Sequence, residues 1–197
     1  MDHGCTMWIA EMMFRYVRYS GDRRFLRTDA YPFMRGAMAV FAAMLETAPG
    51  GALALPVGVS PEFRGDRPDA WGRNPSFQLA CAHRLAEDLE TAAAMLGETP
   101  PPVCAQILAK LPKAALVPEG HRAVIALWEG LKLPESHRHH SHLAAIAPFD
   151  AIDCRHPRRK AAARIVAHRI GHERGHRLRG IRGKSRIARQ HRAVFPH

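Results

Sequence analysis

Apolar side chains recur every three to four residues along three stretches of the chain, and that spacing predicts three helices. Over residues 5–19, Trp8, Met12 and Tyr16, with Ile9 and Met13, repeat at helical spacing, and Gly21 follows as a stop. Ser20-Gly21-Asp22 reads as a turn, with a short helical piece at Phe25-Leu26. Over residues 31–47, Met34, Met38, Phe41 and Leu45, with Ala37 and Met44, form one apolar face. Pro32 sits near that helix's start, where its missing N–H costs nothing, and Pro49-Gly50-Gly51 ends it. In the third helix Ser76 is the expected N-cap, Cys81, Leu85, Leu89, Ala92 and Leu96 make the stripe, and Gly97 closes it. A shorter helix near 103–110 follows Pro100-Pro101-Pro102.

The remaining stretches carry no period. Residues 52–59 are broken by Pro56 and Gly58 and read as an extended crossing segment. Ser60 to Pro75 is a long polar loop, and a loop of that length in a compact domain is usually functional or disordered. Residues 111–125 read as irregular, with Pro112, Pro118 and Gly120. Ala126-Leu127-Trp128 and Leu143 to Ile152 are short apolar segments. There is no heptad run, no repeat and no alternating β pattern. The expectation is an all-α fold of helix pairs with long loops, suited to an α/α barrel or helical array and not to a tight four-helix bundle.

Charge divides the chain in two. Net charge is +11 over the whole sequence, but residues 154–197 alone carry +13, from 12 Arg and 2 Lys against Glu173. Residues 1–153 carry −2. The expected organisation is a nearly neutral globular domain over 1–153 and a basic Arg/His-rich tail over 154–197, too polar to offset chain entropy and so disordered. Two accounts of the tail compete. It is a basic arm for nucleic acid or acidic surfaces, though without an aromatic stacking platform. Or it is the product of an interrupted reading frame. Cys5, Cys81, Cys104 and Cys154 are far apart with no C-x-x-C spacing, and are expected to be free thiols. No apolar run approaches the ~20 residues of a membrane span. The N-terminus lacks a basic n-region and an A-x-A site, so the chain reads as starting inside a domain, and as cytoplasmic if expressed as written.

Two stretches carry candidate chemistry. In Ser60-Pro61-Glu62-Phe63 a carboxylate stands between apolar neighbours at the mouth of a Gly/Pro-rich loop. Desolvation there would raise its pKa, as a glycosidase general acid requires; the alternative is an ordinary surface glutamate. In Ser136-His137-Arg138-His139-His140-Ser141-His142-Leu143 four histidines and an arginine fall within six residues. Arg offers a planar fork of donors and His can donate or accept, which suits hydroxyl or anion recognition. A metal site at His137, His139, His140 and His142 is a second reading, though alternation in so short a span turns the rings apart. A solvated polar loop is the third.

Taken together, these stretches resemble the catalytic domain of glycoside hydrolase family 95, the α-L-fucosidases and related α-L-galactosidases. Four pieces carry the likeness in order: Tyr16-Val17-Arg18-Tyr19-Ser20-Gly21-Asp22 through Phe25-Leu26, Ala30-Tyr31-Pro32, Ser60-Pro61-Glu62, and His137-Arg138-His139-His140-Ser141-His142-Leu143. The resemblance covers about residues 5–153. It implies part of an (α/α)6 toroid, inverting hydrolysis without a cofactor, and a carbohydrate substrate. It makes Glu62 the general acid and Arg138 and His139 the foremost substrate contacts, with His137 and His142 beside them. The family's base side is an N-x-N pair upstream and a D-G-N segment downstream. This chain has one asparagine, Asn74, and no Asp-Gly dipeptide. The expectation is therefore a partial catalytic domain, inactive alone.

Overall fold

The computed structural model describes residues 3–135 and 137–152, with Asp66 in its backbone only. Five helical elements carry the structure: α1 (Gly4–Ser20), α2 (Arg23–Phe25), α3 (Tyr31–Ala43), α4 (Ser76–Leu96) and α5 (Pro102–Lys110). Gly21 ends α1 in the left-handed conformation, at φ 71°. The Asp22 side chain caps α2 by accepting from the Phe25 N–H at 2.9 Å. A π-helical turn, Leu26–Ala30, joins α2 to α3 without a break.

α4 is the axis of the core and packs against α1, α3 and α5. It is buried on nearly all sides, because small residues (Ala80, Ala82, Ala86, Ala92, Ala93) let its neighbours approach closely while Leu79, Leu85 and Leu89 fill the gaps. Most of the α3 stripe read from periodicity is buried, namely Met34, Ala37, Met38 and Phe41, with Tyr31 added; but the helix ends at Ala43, short of the expected 47, so Met44 and Leu45 lie past its end and are only partly buried. α1 differs from expectation. Its buried side is Met7, Ala10, Glu11, Phe14 and Val17, and the stripe of Trp8, Ile9, Met12 and Tyr16 is exposed. The helix is apolar on two sides, and periodicity alone does not say which one meets the core.

The fold is helical but not purely so. Three two-stranded antiparallel pairs join the helices: β1 (Glu46–Thr47) with β2 (Leu53–Ala54), β3 (Gly58–Val59) with β4 (Trp71–Gly72), and β5 (Leu116–Glu119) with β6 (Arg122–Ile125). The last corrects the irregular reading of 111–125. Gly120 at φ 60° reverses the chain, and Val117 pairs with Val124. Strands of two residues are too short to show alternation, so the sequence pattern conceals the other two pairs. The long loop 60–75 contains two 3₁₀ turns, Phe63–Asp66 and Pro68–Ala70.

Ser76 is not a cap. Pro75 occupies the N-cap position and Ser76 begins α4. The fully buried Ser76 hydroxyl donates to the Ala126 carbonyl at 2.7 Å and accepts from the Ala115 N–H at 2.9 Å. Its work is to fasten the β5–β6 hairpin to the head of α4.

A second, smaller core of Phe63, Ala70, Leu127, Trp128 and Leu133 underlies the loops. Gly72 lies flush on the Trp128 indole, so that a methyl group there would collide with the ring. Asn74, the one asparagine, is structural. Its Oδ1 accepts from Leu55 N–H at 2.7 Å and its Nδ2 donates to Glu129 Oε1 at 2.5 Å.

Among the described residues, Cys5, Cys81 and Cys104 form no disulfide with one another, and burial pushes the Cys104 thiol up to about 11. Cys154 and the expected disordered tail lie outside the described residues, as does the boundary between the two expected domains. No described helix is long and apolar enough to cross a membrane.

Candidate active site

The two stretches singled out above meet, although 76 residues separate Arg138 from Glu62. The 60–63 stretch turns sharply: Phe63 N–H donates to Ser60 O at 2.9 Å, and Glu62 takes a left-handed backbone at φ 34°. Arg64 is left-handed too, at φ 50°. A non-glycine residue held there costs roughly 1–3 kcal/mol, and such strain gathers at functional sites. Phe63, 1% exposed, anchors the turn. Its ring meets Trp128 edge-on at 5.7 Å, and the Arg64 guanidinium lies over it at 5.1 Å.

Across from this turn, Arg138 donates from Nη2 to Glu62 Oε2, and His139 Nε2 lies 2.9 Å from the same oxygen. His137 holds the backbone. Its Nδ1 accepts from the His139 N–H at 3.1 Å, which leaves Nε2–H to donate to the Glu62 carbonyl at 3.2 Å. That carbonyl also accepts from Gly65 N–H at 3.2 Å. Further along, the hydroxyls of Ser60 and Ser141 share a hydrogen bond at 2.6 Å. Three consecutive residues therefore converge on one glutamate, and a serine pair pins the two loops beside it.

The electrostatics run opposite to the expectation of a desolvated, raised carboxyl. The hydrogen bond from Arg138 comes first, and then that from His139; together with the arginine's charge they hold Glu62 below the usual carboxylate range. Its side chain is 54% exposed, and Arg138 is 76% exposed. The flanking Pro61 and Phe63 suggested an apolar setting, but Phe63 turns into the small core and leaves the carboxylate facing solvent and cations. His139 is tied to the state of that carboxyl. Facing an ionised Glu62, its Nε2 carries the hydrogen. Facing a protonated one, the bare Nε2 can accept, and Arg138 Nε–H lies 2.9 Å from it.

Of the sequence-predicted residues, His137, Arg138 and His139 gather on Glu62. His142 is instead buried, 3% exposed, in the 3₁₀ turn Ser141–Leu143, with its ring 6.2 Å from that of His140. Among the described residues, no group of three or more His, Cys, Asp or Glu is arranged to hold a metal ion. Residues missed in the sequence are Ser60, Ser141 and Trp128. The spacing of Ser60 to Glu62 and of His139 to Ser141 held a signal, since each places a serine two residues from a site residue.

A family model describing the glycosyl hydrolase family 95 catalytic domain matches residues 1–191. The chain belongs to glycosyl hydrolase family 95. Membership makes it a glycosidase at the family level, with carbohydrate as its substrate class. None of the curated proteins matches the chain. The family 95 match runs beyond the 5–153 stretch carried by the motifs and into the basic segment, through residue 191. The nucleic-acid reading rested on that segment alone and gains no support.

Proposed function

We propose that this family 95 chain recognises an α-L-fucosyl or related α-L-galactosyl unit at Glu62, Arg138 and His139, and does not turn it over unaided. The observation that carries the reading is the convergence of Arg138 and His139 on one carboxylate oxygen of Glu62. A glutamate facing a planar guanidinium and an imidazole is a compact set of donors and acceptors for vicinal sugar hydroxyls. The helices would form part of an (α/α)6 toroid.

In the resting arrangement Glu62 is ionised and cannot serve as an acid. A sugar whose hydroxyls take Arg138 and His139 removes the two hydrogen bonds that hold it low, and covers the carboxyl as well. Both changes drive its pKa up. Protonated Glu62 can then pass its proton to the glycosidic oxygen as the bond to the anomeric carbon breaks. Inversion requires a water on the opposite ring face, with a base to take its proton, at a carboxyl separation of roughly 6.5–9.5 Å. Neither an N-x-N pair nor an Asp-Gly dipeptide occurs in this sequence, so the base side is lacking.

Two measurements test this. Titration with L-fucose and L-galactose, followed by NMR, should show binding that Arg138→Ala weakens at least tenfold. Assays on aryl α-L-fucoside and α-L-galactoside should show no turnover. Absence of binding to either sugar would reject the site. Turnover that Glu62→Gln abolishes would keep the site and reject the inactivity.

A further inference from the structure

Glu62 keeps a left-handed backbone at φ 34°. A non-glycine residue stays in that conformation only where its surroundings fix it from several sides. Three ties do so here. The Phe63 N–H closes the turn onto the Ser60 carbonyl. The hydroxyls of Ser60 and Ser141 bind that turn to the facing loop at 2.6 Å. His137 Nε2 then grips the Glu62 carbonyl itself at 3.2 Å, from 75 residues away.

The other nitrogen of the same ring faces the residue that shares the carboxylate. Nδ1 lies 3.1 Å from both the N and the carbonyl O of His139. A neutral imidazole has one N–H, and the Glu62 carbonyl can only accept. The hydrogen therefore sits on Nε2, and the bare Nδ1 takes the His139 N–H. Both nitrogens are spent on main chain. The ring also lies 6.0 Å from that of Phe63 and 5.6 Å from that of His139. A sugar hydroxyl can reach either nitrogen only by displacing one of these bonds, so His137 is not the sugar contact that its motif suggests.

We propose that His137 is the positioning residue of this site: it touches no sugar, and its two nitrogens fix Glu62 against His139 so that one carboxylate oxygen meets both Arg138 and His139. The inference rests on the reading of Glu62 as the residue that serves the sugar, but not on which sugar that is. Without the clasp the turn relaxes, and the carboxylate no longer stands fixed between two donors.

Two amides separate the ring's functions. Glutamine carries its amide nitrogen as far from the backbone as Nε2 and can still donate to the Glu62 carbonyl, whereas asparagine reaches only as far as Nδ1. Both remove the imidazole alike, so a difference between them reports the bond to Glu62. NMR titration of the Glu62 side-chain carbon in the sugar-free protein should give His137→Gln the lowered pKa of the unaltered chain. His137→Asn should show it raised toward the ordinary carboxylate value, because the bonds that favour the charged form are loosened. L-fucose binding should weaken severalfold in His137→Asn alone. Equal Glu62 pKa values in the two variants, whether both rise or both stay, would overturn the proposal. The unaltered chain supplies a second test that no folding failure can spoil: nitrogen NMR of neutral His137 should find the hydrogen on Nε2, and finding it on Nδ1 would also overturn the clasp. Absence of binding to either L-fucose or L-galactose, with the two variants still apart in Glu62 pKa, would reject the sugar reading and uphold the positioning role.

Discussion

Around α4 the protein is held by area. Phe14, Phe41, Met34, Leu85 and Leu89 are buried to within 1% of completely, in one cluster drawn from α1, α3, α4 and α5. Around Glu62 it is held by direction. One phenylalanine, one tryptophan and a handful of hydrogen bonds from Ser60, Asn74, His137 and Arg138 fix the loops. Area tolerates small displacements and yields a rigid frame. Directional ties can be exchanged singly for contacts to a ligand, which is what a binding loop requires. The difference explains why the site lies on strained turns beside the core and not within it.

The comparison breaks most completely in the core. Phe41→Ala should cost about 3–5 kcal/mol and unfold both regions together, seen as one lowered urea midpoint by far-UV circular dichroism and by tryptophan fluorescence. A loss confined to one probe would show that the two regions are not coupled.

Next in size is a pH effect carried by two α4 residues. Burial pushes His83 down to about 4, against the carbonyls of Leu111 and Pro112, with Lys113 adding to the shift. Its stabilising contribution is full above about pH 6.5 and is lost as the pH falls toward 4. Burial pushes Asp88 up to about 6, which Arg84 opposes and Glu11 reinforces. Its contribution is present below about pH 3.8 and is lost as the pH rises through 6. Each is worth about 3 kcal/mol, and over the shared window the two slopes nearly cancel. Asp88→Asn should therefore raise stability at pH 7.5 by up to about 3 kcal/mol, and should unmask a steep loss between pH 6.5 and 4. Urea titrations at stepped pH decide it, and a flat profile in the variant would contradict the assignment.

Ser76→Ala sharpens the boundary between the regions. It leaves two buried backbone groups unpaired and should cost about 2–3 kcal/mol, against about 1 for a lost helix cap. Loss of protection at the Ala115 amide in hydrogen exchange would mark the released hairpin. Smallest in stability is Arg138→Gln, which removes an ion pair exposed to solvent and should leave the urea midpoint essentially where it is. It should instead raise the Glu62 pKa toward the ordinary carboxylate value, read by NMR titration of the side-chain carbon. An unmoved pKa would mean that Arg138 does not hold the carboxylate.

The helices were legible because burial repeats at 3.6 residues: the stripes of α3 and α4, and the stops at Gly21 and Gly97, stand where periodicity puts them. α1 was legible as a helix but not in its orientation, since two apolar sides give two answers. Of the strands, only β2 and β3 were foreshadowed, by the extended reading of 52–59; the pairings were not legible, since two-residue strands show no period of two and the β5–β6 hairpin carries Pro118 and Gly120, which read as irregular. At the site, residue types pointed to His137, Arg138, His139 and Glu62, but the sign of the Glu62 shift did not follow from them. It depends on partners 76 and 77 residues away, whereas Pro61 and Phe63, its sequence neighbours, suggest the reverse.

The close seat of Gly72 on Trp128 carries a consequence for how such chains can diverge. Any side chain at 72 needs the space the indole fills, and any smaller residue at 128 leaves a void beneath β4. The two positions should therefore change together across the family or not at all, with glycine at 72 wherever tryptophan stands at 128, and a larger residue at 72 tolerated only where the ring has been lost.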